Sequence, residues 1–152
     1  LPHPETVSKL SSWTTWDSDQ KETLDGFSGT AKYQITFDKP NVAADHFILD
    51  LGNVCFTAKV SLNGKFQGEC ISTPMKILLD NQLKAKGNLL SIEVTNTAVN
   101  RSGSLEKRGI KWMYDVPGSY DIQYYIDAKT WQPQQSGLLG PVTLIPVFNF
   151  KP

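Results

Sequence analysis

The sequence predicts an all-β chain folded as an antiparallel β-sandwich, and three observations carry that prediction. Segments alternating apolar and polar residues recur roughly every ten residues, with turn residues between them. Asn63-Gly64 lies between two of these segments and supplies the positive-φ pair that a two-residue hairpin needs. No segment carries an apolar stripe at helical spacing long enough to stand as a helix by itself. At 152 residues the chain reads as one domain, 1–152, able to bury a core without disulfide staples.

Taken in order, Leu1 to Phe27 resists a strand reading. It holds Trp13 and Trp16 and has a short turn expected around Asp17 to Leu24. Gly29 to Phe37 alternates Ala31, Tyr33, Ile35 and Phe37 against Thr30, Lys32, Gln34 and Thr36, the pattern of a half-buried strand that Lys39-Pro40 ends. His46 to Leu51 puts Phe47, Leu49 and Leu51 in phase. The Asn-Gly hairpin adds two strands and Met75 to Leu79 a short one. A turn is expected near Leu83 and another at Gly87-Asn88. Leu89 to Thr95 is the strongest core strand, with Leu90, Ile92 and Val94 facing one way. Tyr120 to Ile126 and Pro141 to Phe148 complete the set. Asn96 to Gly118 is expected as a long irregular loop, of the kind that in a compact domain serves function or an interface.

Counting outward from the Asn63-Gly64 turn sets Lys65 against Leu62 and Cys70 against Thr57, with Cys55 diagonal to Cys70. A diagonal disulfide is conceivable, but free buried thiols are the preferred reading. Fifteen basic residues balance fifteen acidic ones and are scattered, so neither nucleic acid nor a membrane is expected as a partner. The chain opens Leu1-Pro2-His3-Pro4, with no initiator Met and no signal-peptide pattern, as an excised fragment or mature product would.

The order of pieces resembles a known family. FSGTAKYQITF (27–37), HFILDLGNV (46–54), AKVSLNGKFQG (58–68), TPMKILLD (73–80) and KGNLLSIEVTN (86–96) are similar to the sugar-binding domain of family 2-type glycoside hydrolases. Val99-Asn100-Arg101, Arg108-Gly109-Ile110-Lys111-Trp112 and SGLLGPVTL (136–144) resemble the β-sandwich at the C-terminal end of family 106 α-L-rhamnosidases. The resemblance implies a galactose-binding-domain-like jelly roll within a larger multidomain enzyme whose glycosidase chemistry sits on a separate domain. It implies two partners: a polysaccharide or oligosaccharide, and the catalytic domain of the parent enzyme. It also implies a secreted, periplasmic or cell-surface location.

Sugar recognition needs flat apolar faces and planar hydrogen-bonding groups. Trp112, Tyr114, Tyr125 and Trp131 are the candidate platforms, while Asn100, Arg101, Arg108 and Lys111 are the candidate polar ligands. Tyr120 and Tyr124 share a face with Ile122 and Ile126 and are expected in the core. Trp112 and Trp131 stand evenly between platform and core. For Arg101 and Arg108 the preferred reading is a structural pin that hydrogen-bonds loop carbonyls. Lysine and arginine in this region make an acidic, pectic sugar a reasonable ligand. Asn100-Arg101-Ser102 also fits a glycosylation sequon.

No carboxylate pair is singled out for glycoside hydrolysis, and there is no nucleophile elbow. The expectation is a non-catalytic carbohydrate-binding module that targets plant cell-wall-type polysaccharide, with a structural accessory sandwich as the alternative. No cofactor is expected. A structural calcium would fall on Asp17, Asp19 and Glu22, although a solvated acidic turn is the preferred reading.

Overall fold

A computed structural model of the chain describes residues 6–16, 19–79, 83–110 and 128–149. Within them it is a β-sandwich. The strands are β1 (Thr30–Phe37), β2 (His46–Asp50), β3 (Asn53–Cys55), β4 (Thr57–Leu62), β5 (Lys65–Cys70), β6 (Lys76–Leu79), β7 (Asn88–Thr95), β8 (Gly137–Gly140) and β9 (Thr143–Val147). One sheet has the order β1-β7-β4-β5, a second β6-β2-β9, and β3 pairs with β8 in a small third sheet. All three are antiparallel in their strand pairs. The expected strand Tyr120 to Ile126 lies outside the described residues.

The alternation seen in the sequence decides which faces meet. Val60 and Leu62 of β4, with Leu90, Ile92 and Val94 of β7, pack against Leu49 of β2, Leu51, and Ile77 and Leu79 of β6. Each such side chain taken from water stabilises the fold by about 1.5–3 kcal/mol. Asn88, expected in a turn, instead opens β7 and is wholly buried. Its amide donates to the carbonyls of Lys84 and Phe37 and accepts from the Lys84 N–H and the Asn63 amide, so no polar atom there is left wanting.

Three expectations are corrected. The hairpin turns at Asn63-Gly64 with Leu62 opposite Lys65, but a bulge between Val60 and Ser61 leaves Gln67 unpaired. Cys70 therefore faces Ala58 rather than Thr57. Cys55 belongs to β3 and pairs with Gly137, outside the hairpin ladder, and both thiols are free. The stretch after β7 is not all irregular: Val99–Lys107 forms α2, while α1 is the single turn Lys21–Asp25. No apolar stripe announced α2, because its buried positions are Asn100 and Gly103. Its stop signal is legible, however. Gly109 takes φ +81°, its N–H reaches the Glu106 carbonyl at 2.9 Å, and the Ile110 N–H reaches the Leu105 carbonyl at 3.0 Å. That is a Schellman closure, which glycine permits. Among the described residues no helix is long and apolar enough to cross a membrane.

Asp50 closes the end of β2. Its carboxylate accepts from the Gly52 N–H at 2.9 Å and from Lys76 Nζ at 3.2 Å, across the β2–β6 pair. These two contacts, the Gly52 hydrogen bond first, hold the Asp50 carboxyl below its ordinary range. A depressed folded-state pKa adds stability that is fully present above the unfolded value, about 3.9, and is lost as pH falls through the lower folded value. Asp50→Asn is therefore expected to flatten the acid limb of the stability curve, measured by urea denaturation from pH 5 to pH 2. Superimposable acid limbs for the two proteins would refute that role.

Candidate functional site

A groove of about 470 Å³ opens between α1, α2 and the segment Trp131–Pro133. One face of α2 lines it, through Asn100, Gly103, Ser104 and Lys107, with Arg108 at the helix C-cap. Small residues let the groove's walls close on one another at its edges. A β-carbon on Gly26 would come within 2.6 Å of the Ser104 side chain, so α1 and α2 touch where neither carries bulk. A β-carbon on Gly103 would lie 3.3 Å from the Ala128 carbonyl and 3.8 Å from Trp131 Cβ, so the glycine lets the Trp131 turn close onto the helix. Glu106 fixes that turn by accepting the Ala128 N–H at 2.8 Å, and the Trp131 N–H then bonds the Ala128 carbonyl at 3.2 Å. Trp131 is left half-buried, an indole held at the groove's edge.

Below the groove runs a buried polar network. The Asn100 amide donates to the Gln134 carbonyl at 2.9 Å and to Ser136 Oγ at 3.1 Å, and its oxygen accepts the Gln134 N–H at 2.8 Å. The Asn96 amide donates to the Phe27 carbonyl and to the same Ser136 Oγ, while its oxygen accepts the Gly29 N–H. Ser136 donates its N–H to Ser12 Oγ at 2.9 Å, and its carbonyl accepts the Trp13 N–H. With Asn100 6 % and Ser136 1 % exposed, these bonds tie the N-terminal segment, the end of β7, α2 and the entry to β8 into one unit.

The sequence candidates divide accordingly. Trp131, Arg108 and Asn100 line the groove. Asn100 does so only from beneath, since its amide is committed to the backbone at 134 and to Ser136. It makes the Asn-Arg motif a pin, but through the asparagine rather than the arginine. The buried amide also makes the glycosylation sequon unusable in the folded chain. Arg101 and Arg108 are exposed, and among the described residues neither guanidinium has a hydrogen-bond partner. Trp112, Tyr114, Tyr125 and Lys111 lie outside the described residues.

Sequence reasoning did not single out Lys21, Ser104, Lys107 or Gln132, which also line the groove. Of these only Lys107 carried a signal, as a cation in the last turn before the Gly109 stop. Glu22, read as part of an acidic turn, faces the groove from α1. Lys21 ion-pairs with Asp25 and donates to the Thr14 carbonyl at 2.9 Å. Among the described residues no group of three or more His, Cys, Asp or Glu could hold a metal ion, and Asp17 lies outside them. Burial raises both cysteine thiols, which keeps them protonated and unreactive near neutral pH.

A second, larger hollow of about 900 Å³ follows the inner face of β1, between Trp13, Phe27, Ile35, Leu90, Ile92 and Val142. Ile35, on the face expected to be buried, is 60 % exposed there. The Tyr33 hydroxyl accepts the Leu138 N–H at 3.1 Å on one side of this hollow. Burial pushes the Tyr33 phenol above its ordinary range, partly opposed by that hydrogen bond.

Comparisons with known proteins meet this geometry. No family model matches the chain. It is 30 % identical over 151 residues to a putative beta-glucuronidase of Formosa agariphila, a match covering 86 % of this chain and 13 % of that protein. The rhamnosidase of Novosphingobium sp. PP1Y is similar in structure, with a TM-score of 0.68 and 27 % identity over 91 % of this chain and 12 % of that one. So is the beta-glucuronidase of Bifidobacterium dentium, solved with coumarin-3-O-glucuronide, with a TM-score of 0.52 and 27 % identity over 62 % of this chain and 16 % of that one. The chain thus spans only a small part of the glycoside hydrolases it resembles, as an accessory domain would. Its similarity to both a rhamnosidase and a glucuronidase agrees with the two resemblances found in its motifs.

Proposed function

We propose that this chain is a non-catalytic carbohydrate-binding module, a galactose-binding-domain-like sandwich within a glycoside hydrolase that acts outside the cytoplasm. It would hold the parent enzyme on plant cell-wall-type polysaccharide and raise the local concentration of substrate. The observation that carries this reading is convergence. Trp131, Ser104, Gln132, Lys107 and Arg108, drawn from separate segments, line one groove. An indole edge beside hydroxyl, amide and guanidinium groups matches a pyranose, which offers a C–H face and a ring of hydroxyls. The groove's volume of about 470 Å³ falls in the range of small-molecule sites, roughly 300–1,000 Å³. Asp25 is paired with Lys21, which leaves Glu22 as the carboxylate in the groove without an ion pair among the described residues, whereas glycoside hydrolysis uses two.

Affinity electrophoresis against pectins, rhamnogalacturonan, xylans, β-glucans and mannans tests the reading. Retardation by one class is expected. Trp131→Ala should weaken it about tenfold or more, the effect of losing on the order of 1.5–3 kcal/mol of ring contact, in a variant that still unfolds cooperatively. A second reading, a sandwich that braces the catalytic domain, draws on the apolar hollow beside β1, where Ile35 lies open. Absence of retardation on every polymer would transfer the conclusion to it.

A further inference from the structure

We propose that the groove selects an acidic sugar, a uronic acid whose carboxylate is held by Lys107 and Arg108 while its ring lies against Trp131. This rests on the sugar-binding reading above and adds the class of sugar. The side chains of Lys21, Glu22, Asp25, Lys107 and Arg108 bring the charge that lines the groove. Lys21 and Asp25 neutralise one another, and Lys21 is further held by the Thr14 carbonyl. What remains is Lys107 and Arg108 against Glu22, a net positive balance, and among the described residues neither cation has an ion pair.

Their placement favours a carboxylate over a diffuse anion. Lys107 and Arg108 gather at the C-terminal end of α2 and line the same groove as Trp131, which packs over Gly103. Arg108 occupies the C-cap, its backbone N–H bonded to the Ser104 and Leu105 carbonyls at 3.3 and 3.1 Å, which fixes where its side chain starts. A guanidinium offers two parallel donors that match a carboxylate's two oxygens, and a neighbouring ammonium adds charge without demanding geometry. A neutral hexose leaves both cations facing water and uses only the indole and the hydroxyl and amide groups.

The test compares polygalacturonate with its carboxyl-reduced, neutral form in affinity electrophoresis, for the wild-type chain and for Lys107→Gln/Arg108→Gln. Both positions are exposed, and the double variant should unfold at the wild-type temperature. The expected result is binding of the acidic polymer on the order of tenfold tighter than the reduced one, as hydrogen bonds to a charged group imply. That preference should disappear in the double variant and shrink with added salt. Trp131→Ala should weaken both polymers together. Equal binding of the two polymers, or a preference that survives the double substitution, overturns the acidic-sugar assignment while leaving sugar binding in place. Equal retention on polyglutamate overturns it as well, since the cations would then be reading charge alone. No retardation by either polymer or by the wider panel overturns both conclusions.

Discussion

Gly52→Ala is expected to destabilise the chain by roughly 2–5 kcal/mol, the sum of backbone strain and overpacking. Gly52 has φ +64°, and a β-carbon built there would come within 2.5 Å of the Gly140 carbonyl carbon and 2.6 Å of the Pro141 oxygen. Both obstacles are backbone, so no rotamer change relieves them. The contact is also where the exit from β2, held by Asp50, meets the end of β8 through an isolated bridge between Gly52 and Gly140. Because a domain of this size holds about 5–15 kcal/mol in all, the substitution removes a large share of its stability. Gly64→Ala is the control. That glycine also has positive φ, at +81°, but nothing lies within 4 Å of its added carbon, so only the strain of about 1–2 kcal/mol is expected. Equal losses for the two variants in urea titrations would mean that the close approach of the two backbones contributes nothing.

The second large effect is expected at Asn100. Replacing it with alanine takes the partner from the Gln134 N–H and removes one bond each from the Gln134 carbonyl, which keeps Ser136 Oγ, and from Ser136 Oγ, which keeps the Asn96 amide. One group left unsatisfied costs about 1–3 kcal/mol where water cannot reach it, so a loss of roughly 1–3 kcal/mol is expected. Arg101→Ala, one residue on and exposed, should stay within about 0.5 kcal/mol of the wild type. Thermal unfolding separates the two, and sugar affinity measured well below the transition completes the test. An Asn100→Ala variant of undiminished stability that no longer binds sugar would make the asparagine a ligand after all.

These outcomes bear on how much of the molecule its sequence disclosed. Period-two alternation located β1, β2, β4 and β7 nearly to the residue, because a strand with one buried face must repeat every second position. The Asn63-Gly64 turn was equally legible, since few other pairs accept positive φ twice. The bulge at Val60/Ser61 was not, as nothing in KFQGEC marks Gln67 as the residue left unpaired. The pairing of β8 with β3 was hidden for a similar reason. Gly137-Leu138-Leu139-Gly140 has weak intrinsic preference for a strand, and only its distant partner gives it one.

The candidate site was legible in composition but not in arrangement. The sequence by itself determined a β-sandwich, an aromatic and cationic stretch around residues 100–131, and motifs shared with glycoside hydrolases. Tertiary structure alone decided that α2 forms, that Asn100 lies under the groove as a pin, and that Lys21 and Glu22 reach the same groove from a segment some eighty residues earlier. The physical reason lies in the range of the forces. Alternation and turn chemistry act between near neighbours, and the chain displays them locally. A groove is space left between segments that the sandwich brings together, and a helix with buried Asn100 and Gly103 is stabilised by the partners it meets rather than by any pattern of its own.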